Sequence, residues 1–220
     1  MRPLENKLAF WSAALSLNLK NRWIFFTLTY LYVITLYLLT NRLTLNAAHF
    51  LRLSIVDMRT PFLPWTAWIY ISVYIFPLSV GFMCNRDADV KPIVFSFVIL
   101  STICAACYIL YPTTFPRPPL VSDGGNDLAM KLVRFLDTPA NCLPSQHVAL
   151  GFLSAFFVGR YNRKFGNWGL ILGILISIST LTTKQHYLWD VVAGYFLSRV
   201  IYAVSSRYMD PISLPLKEPR

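Results

Sequence analysis

Apolar residues in this chain come in runs too long for one buried face of a soluble helix. Trp23 to Leu39, Thr66 to Cys84 and Pro92 to Leu110 each carry few or no charges. Their lengths approach the roughly twenty residues that cross a ~30 Å hydrocarbon layer. Three further runs, His147 to Val158, Trp168 to Leu181 and Tyr187 to Ala203, are shorter or flanked by polar residues that reach the interface. The pattern predicts an all-α, polytopic membrane helix bundle with six transmembrane helices. It divides the chain into an N-terminal segment over 1–22, a membrane domain over 23–205 and a tail over 206–220. Trp11, Phe10 and Leu15, set among Lys7 and Lys20, suit a helix lying on the membrane surface. No internal repeat and no low-complexity tract interrupts this layout.

Composition agrees with the pattern. The 220 residues are 55% hydrophobic and only 14% charged, with a mean hydropathy of +0.50, which is too apolar for an ordinary soluble domain. The net charge of +10 would suggest a nucleic-acid partner in a soluble protein, but here its distribution follows membrane topology, and no nucleic acid is expected. With the N-terminus inside, Arg22, Arg86, Lys91, Arg160, Arg163 and Lys164 stand at inner ends of spans, and the outer loops are poorer in Lys and Arg. This asymmetry places both termini in the cytoplasm. Short loops and the lack of a cleavable leader suit a bacterial inner membrane, with the outer loops facing the periplasm. Cys104 and Cys107 form a CxxC inside an apolar span with no second pair, so they carry no metal or redox expectation.

Polar residues collect where that topology has its outer face. The loop after the third span reads YPTTFPRPPL, the fourth span opens on CLPSQHV, and the link before the sixth reads TTKQHYLWD. In the last, His186 and Asp190 are four residues apart, so on a helix the carboxylate can accept the imidazole N–H and fix its tautomer. A neutral, oriented imidazole is a nucleophile or general base. In CLPSQHV, Ser145 caps a helix whose free N–H groups and positive end hold phosphate. Gln146 stands beside it, and His147 in the first turn is placed to give a proton to a leaving group. Arg117 and Lys184 supply the cations of an anion site. Each feature alone has an ordinary structural reading; their convergence on one end of the bundle is what points to chemistry. No metal and no cofactor is called for, because the histidines do not stand at ligand spacing on one element.

These residues resemble the type 2 phosphatidic-acid phosphatase superfamily in its integral-membrane branch. That family carries a Lys, six residues and Arg-Pro; then Pro-Ser-x-His; then Ser-Arg, five residues, His, three residues and Asp. Pro144, Ser145, Gln146 and His147 match the second motif in full. Ser179, His186 and Asp190 fall on the third, and Arg117 and Pro118 on the first. Leu110 and Thr180 replace the family's Lys and Arg. The resemblance implies His186 as a nucleophile forming a phosphohistidine, Asp190 as its orienter, His147 as acid and then base, and Ser145 with the cations gripping phosphate. HYLWDVVAGY and Asp57 to Trp65 are also similar to sphingolipid head-group synthases of the inositol-phosphorylceramide type.

The expected function is a metal-independent lipid phosphatase that cleaves a phosphate monoester or diphosphate at the extracytoplasmic face. The alternative is a head-group phosphotransferase with a lipid alcohol as acceptor. A non-catalytic lipid binder or transporter is the remote third reading, disfavoured by the lack of repeat symmetry. The partners are the bilayer and a membrane lipid phosphate.

Overall fold

The computed structural model describes residues 17–43, 47–120 and 127–209, so most of the expected surface helix at the N-terminus and most of the C-terminal tail lie outside the described residues. Helix α1 (Arg22–Arg42) is apolar all round, yet Thr29, Val33, Tyr37, Thr40 and Asn41 are buried on one stripe. Ile24, Leu28, Leu31 and Leu39 face outward. Outward-facing apolar side chains on a long helix are what a bilayer accommodates.

The run from Thr66 to Cys84 is not the single helix its hydropathy suggests. After the short helix α2 (Ile55–Arg59), the chain forms a 3-10 turn (Pro64–Thr66), helix α3 (Ala67–Ile71), a second 3-10 turn (Ser72–Tyr74) and helix α4 (Leu78–Met83). Pro77 has no N–H to continue the ladder, and the Tyr30 hydroxyl donates to the Tyr74 carbonyl at this break (2.7 Å).

Helix α5 (Asp87–Leu110) places Asp87 and Asp89 in its first turn, where carboxylates oppose the positive helix end. Helix α6 (Asp127–Leu136) packs Ala129, Met130 and Val133 against Ala67 and Tyr70. Helices α7 (Gln146–Tyr161), α8 (Arg163–Thr182) and α9 (Leu188–Ser206) complete the bundle. A two-residue parallel ladder, β1 (His49–Phe50) with β2 (Thr113–Thr114), ties two loops at one end and is a small departure from a purely helical fold.

Among the described residues five segments are long and apolar enough to cross a membrane: Arg22–Arg42, Pro64–Met83, Asp87–Leu110, Arg163–Thr182 and Leu188–Ser206. Helix α7, with 16 residues, spans only about 24 Å. Most of its side chains are buried; its surroundings are mainly other helices, with Leu153 and Phe157 in a core shared with Ile93, Leu100 and Cys104 of α5. Helix association within lipid draws on close packing more than on the hydrophobic effect, and the α7–α8 hairpin shows it. A Cβ on Gly166 would lie 2.2 Å from the Gly159 Cα, so the two backbones touch where Asn162 turns the chain and caps α8. At that same end Arg160 and Tyr161 bind the buried Asp89 carboxylate, closing α7 onto α5.

Candidate active site

The C-terminal ends of α1, α5 and α8 and the N-terminal ends of α7 and α9 meet at the opposite end of the bundle. Helix α8 stops there because Lys184 adopts a left-handed conformation (φ 55°), and the Gln185 N–H returns to the Thr180 carbonyl (3.0 Å), a common helix ending. The chain then turns His186 inward before α9 begins. Asp190, in the first turn of α9, accepts the Tyr187 N–H through Oδ2 (2.8 Å). The same oxygen lies 3.3 Å from His186 Nδ1, which is also 3.0 Å from the Cys142 carbonyl. Two acceptors on Nδ1 require it to carry the proton, which leaves Nε2 as the unprotonated nitrogen. His186 Nε2 and Asp190 Oδ1 are buried and have no hydrogen-bond partner among the described residues.

Ser145 caps α7, with Oγ accepting the Val148 N–H. Its own N–H donates to the Asp190 carbonyl (3.0 Å), which locks the starts of α7 and α9 together. Gly194 permits that approach, since a Cβ there would lie 2.5 Å from the Ser145 carbonyl oxygen. Through this contact His147 and His186 come to face one another, ring centroids 5.8 Å apart. Gln146 turns into the bundle instead, its amide nitrogen 3.4 Å from Ser101 Oγ on α5.

The two candidate cations sit on carbonyls. Arg117 donates to the Asp137 and Thr138 carbonyls (2.6 and 2.8 Å), and its Nε is buried with no partner among the described residues. Lys184 Nζ donates to the Asp57 and Thr60 carbonyls (2.9 and 2.6 Å), clasping the end of α2. Burial lowers the Lys184 ammonium from the ordinary lysine range, and the Asp57 charge opposes that shift. At the two positions where the family has further cations, Leu110 is exposed and Thr180 is buried, its hydroxyl donating to the Ser177 carbonyl.

Residues that sequence reasoning did not single out complete the surroundings of His147. Tyr37 meets its ring edge-on at 5.4 Å, and Tyr70 lies over it at 4.4 Å. Tyr70 Oη is 3.1 Å from His147 Nδ1, and Tyr74 Oη is 3.4 Å from Nε2. Behind them the buried Asp137 carboxylate accepts from Tyr70 (2.6 Å), Tyr37 and Asn41. The available signal was spacing: Tyr37 with Asn41 and Tyr70 with Tyr74 are polar pairs four apart inside apolar runs, and polar groups at membrane depth mark function.

Cys142, His186 and Asp190 are the group of three side chains of metal-ligating type that come together among the described residues, with candidate ligand atoms within 4.8 Å of one another. Their atoms have other roles: His186 Nδ1 binds the carboxylate and a carbonyl, and the Cys142 thiol donates to the Gln185 carbonyl. Burial, then the charges of Asp190 and Asp137, push that thiol well above its ordinary range.

Two facing buried histidines, one paired with a carboxylate, thus stand at one end of a helical bundle with several long apolar helices. Residues 34–204 match the family described as the PAP2 superfamily, and the chain belongs to it. No curated protein and no solved structure matches the chain.

Proposed function

We propose that this protein is a membrane lipid phosphatase acting through a phosphohistidine. The observation that carries the reading is the opposition of His186, oriented by Asp190, to His147 at 5.8 Å, near enough for both to reach the two ends of one phosphate ester bond. In the first step His186 Nε2 attacks phosphorus in line, the bond to the lipid oxygen breaks, and protonated His147 gives its proton to that oxygen. In the second, His147 takes a proton from water, the water oxygen bonds to phosphorus, the phosphorus–nitrogen bond breaks, and phosphate leaves with His186 neutral. Ser145 and the N–H groups opening α7, the backbone N–H of Gln146 among them, are the phosphate contacts of this reading. Arg117 and Lys184, already donating to carbonyls, stabilise the growing negative charge through their field.

A cavity of about 410 Å³ supports a lipid substrate. It runs between α1 and the Pro64–Met83 segment, from Trp23 and Gly81 to Tyr37 and His147, and is lined almost wholly by apolar atoms. It ends on the acid and not on the nucleophile, which is where the chain attached to a departing alkoxide belongs. The basic residues Arg22, Arg86, Lys91, Arg160, Arg163 and Lys164 lie at the bundle end remote from the histidines. We therefore read the site as facing outward, both termini as cytoplasmic, α7 as the sixth span and a bacterial inner membrane as the location.

The engagement of both cations favours a second reading, in which a phosphodiester donor, less charged than a monoester, passes its head group to a lipid alcohol. The deciding experiment follows inorganic phosphate released from a lipid phosphate monoester by purified protein in detergent, beside the His186→Ala variant. Release that depends on His186 supports the phosphatase. Its absence, with transfer from a phospholipid to diacylglycerol or ceramide, supports the transferase, and neither activity overturns both.

A further inference from the structure

A buried polar cluster apart from the His186–Asp190 pair centres on a carboxylate that no motif of the sequence includes. Asp137 follows α6 and is almost fully buried (2% exposed). Its loop is tied from several sides: the Thr138 N–H and hydroxyl reach Asn41 on α1 (both 2.8 Å), and Arg117 holds the Asp137 and Thr138 carbonyls. The side chain has three partners, and each of them donates. Asn41 Nδ2 (3.2 Å) and the Tyr37 hydroxyl reach Oδ1, and the Tyr70 hydroxyl reaches Oδ2 at 2.6 Å.

Tyr70 has one proton and two buried neighbours. The short contact goes to the carboxylate and the longer one, 3.1 Å, to His147 Nδ1. An ionised carboxylate only accepts and binds the hydroxyl more strongly than a neutral nitrogen does, so the Tyr70 proton lies on the Asp137 side. The phenol oxygen is then an acceptor, and His147 Nδ1 must carry the hydrogen that meets it. That leaves Nε2 as the nitrogen that exchanges protons at the reaction centre. His186 has the same arrangement, Nδ1 tied back and Nε2 presented, with its carboxylate in direct contact.

We propose that Asp137, acting through Tyr70, is the positioning residue of His147: the pair holds the Nδ1–H tautomer and stabilises the imidazolium each time Nε2 takes up a proton. The inference rests on the acid–base role given to His147 above. When Nε2 is protonated, the positive ring has a phenol oxygen on Nδ1 and a negative carboxylate one hydrogen bond behind it, so charge is compensated without a counter-ion in the substrate pocket. A carboxylate in direct contact with Nδ1 would stabilise the imidazolium more strongly and oppose loss of its Nε2 proton to the leaving oxygen. Interposing Tyr70 keeps His147 able to release the proton.

The groups that face His147 are Tyr37 from α1, Tyr70 from α3, Tyr74 from the following turn and His186 from the turn before α9. The charges that act on it from behind are Asp137 and Arg117. Of these only Tyr70 both contacts Nδ1 and binds Asp137. A purely structural role for the cluster would make Tyr37 and Tyr70 equivalent, whereas the relay makes them different.

Two measurements test this, one of which needs no turnover. Ring-¹⁵N histidine spectra of the detergent-solubilised protein, assigned with a His147→Gln variant, are expected to show neutral His147 as the Nδ1–H tautomer. The Tyr70→Phe variant is expected to convert it to a mixture. An Nε2–H tautomer in the unaltered protein, or one tautomer unchanged by Tyr70→Phe, overturns the proposal whether or not the protein is a phosphatase. In turnover, Asp137→Asn is expected to lower kcat on the order of 10- to 100-fold with little change in KM, a part of what a general acid contributes. Because the variant lacks the charge that favours imidazolium, its alkaline limb is expected to move to lower pH, and Asp137→Glu is expected to restore part of the rate. Tyr70→Phe should lose more activity than Tyr37→Phe. Equal losses, or a KM effect with an unmoved pH profile, overturn the relay while leaving the phosphatase reading intact; failure of the His186→Ala comparison on its own leaves the spectroscopic result to stand.

Discussion

His147 and His186 face one another at 5.8 Å because Ser145, the residue capping the helix that bears the first, hydrogen-bonds the Asp190 carbonyl on the helix that bears the second. The site is therefore a property of one inter-helix contact, and its two histidines are expected to respond together to whatever disturbs that contact.

His186→Ala is expected to abolish phosphoryl transfer while the protein keeps its helical circular dichroism and its elution position. Asp190→Asn removes the anionic partner of Nδ1 and is expected to lower kcat by about three to four orders of magnitude, as loss of an orienting carboxylate does in nucleophile–His–Asp systems. Phosphate release by purified variants checks both, and near-normal turnover in His186→Ala removes it as nucleophile.

Gly194→Ala puts a methyl group 2.5 Å from the Ser145 carbonyl oxygen and 3.3 Å from the Val148 Cβ. Backbone has to move, at a cost of about 1–3 kcal/mol, and the displacement acts on the helix starts that carry His147 and Asp190. The expected outcome is a lower Tm in detergent together with a fall in kcat. Gly166→Ala meets the Gly159 Cα at 2.2 Å, but at the far end of α7, so it is expected to lower Tm while activity per folded molecule changes much less.

Lys184→Ala leaves the Asp57 and Thr60 carbonyls without their ammonium donor. A loss of about 1 kcal/mol in stability is expected, modest because the group is partly exposed, read as a shift in Tm. If the ammonium instead gripped the substrate phosphate directly, its loss would raise KM and leave Tm unchanged.

Vanadate, which takes the geometry of a phosphoryl group in transfer, is expected to inhibit, and EDTA to leave the rate unaltered. Cys142→Ala sharpens the test: its thiol is held protonated, so turnover within a few-fold of normal is expected. Loss of activity on both chelation and Cys142→Ala, with recovery on adding zinc, would assign Cys142, His186 and Asp190 to a metal.

Much of this protein was legible before any coordinates. Hydropathy located five of the six expected segments as long apolar stretches among the described residues, because the cost of unpaired backbone in lipid favours long apolar helices. The spacing of His186 and Asp190 announced their contact, although His186 lies in the turn before α9 and meets Asp190 across the start of that helix, not along a shared helix face. The break at Pro77 was in view as a proline, but its outcome, two short helices with Tyr70 and Tyr74 turned toward His147, depended on what packs there.

Local pattern has no access to the partners of a side chain across the bundle. Arg117 and Lys184 carry charge in the right neighbourhood, but only the tertiary structure decided that both donate to carbonyls, since a guanidinium or ammonium takes whichever acceptor the fold brings near. Asp137 stands 100 residues from Tyr37 and 67 from Tyr70, with no periodicity to connect them. The sequence by itself determined a helical membrane protein with a histidine–aspartate pair at one end. The second carboxylate, and the tyrosine between it and His147, were decided by packing, which alone brings distant residues within hydrogen-bond reach.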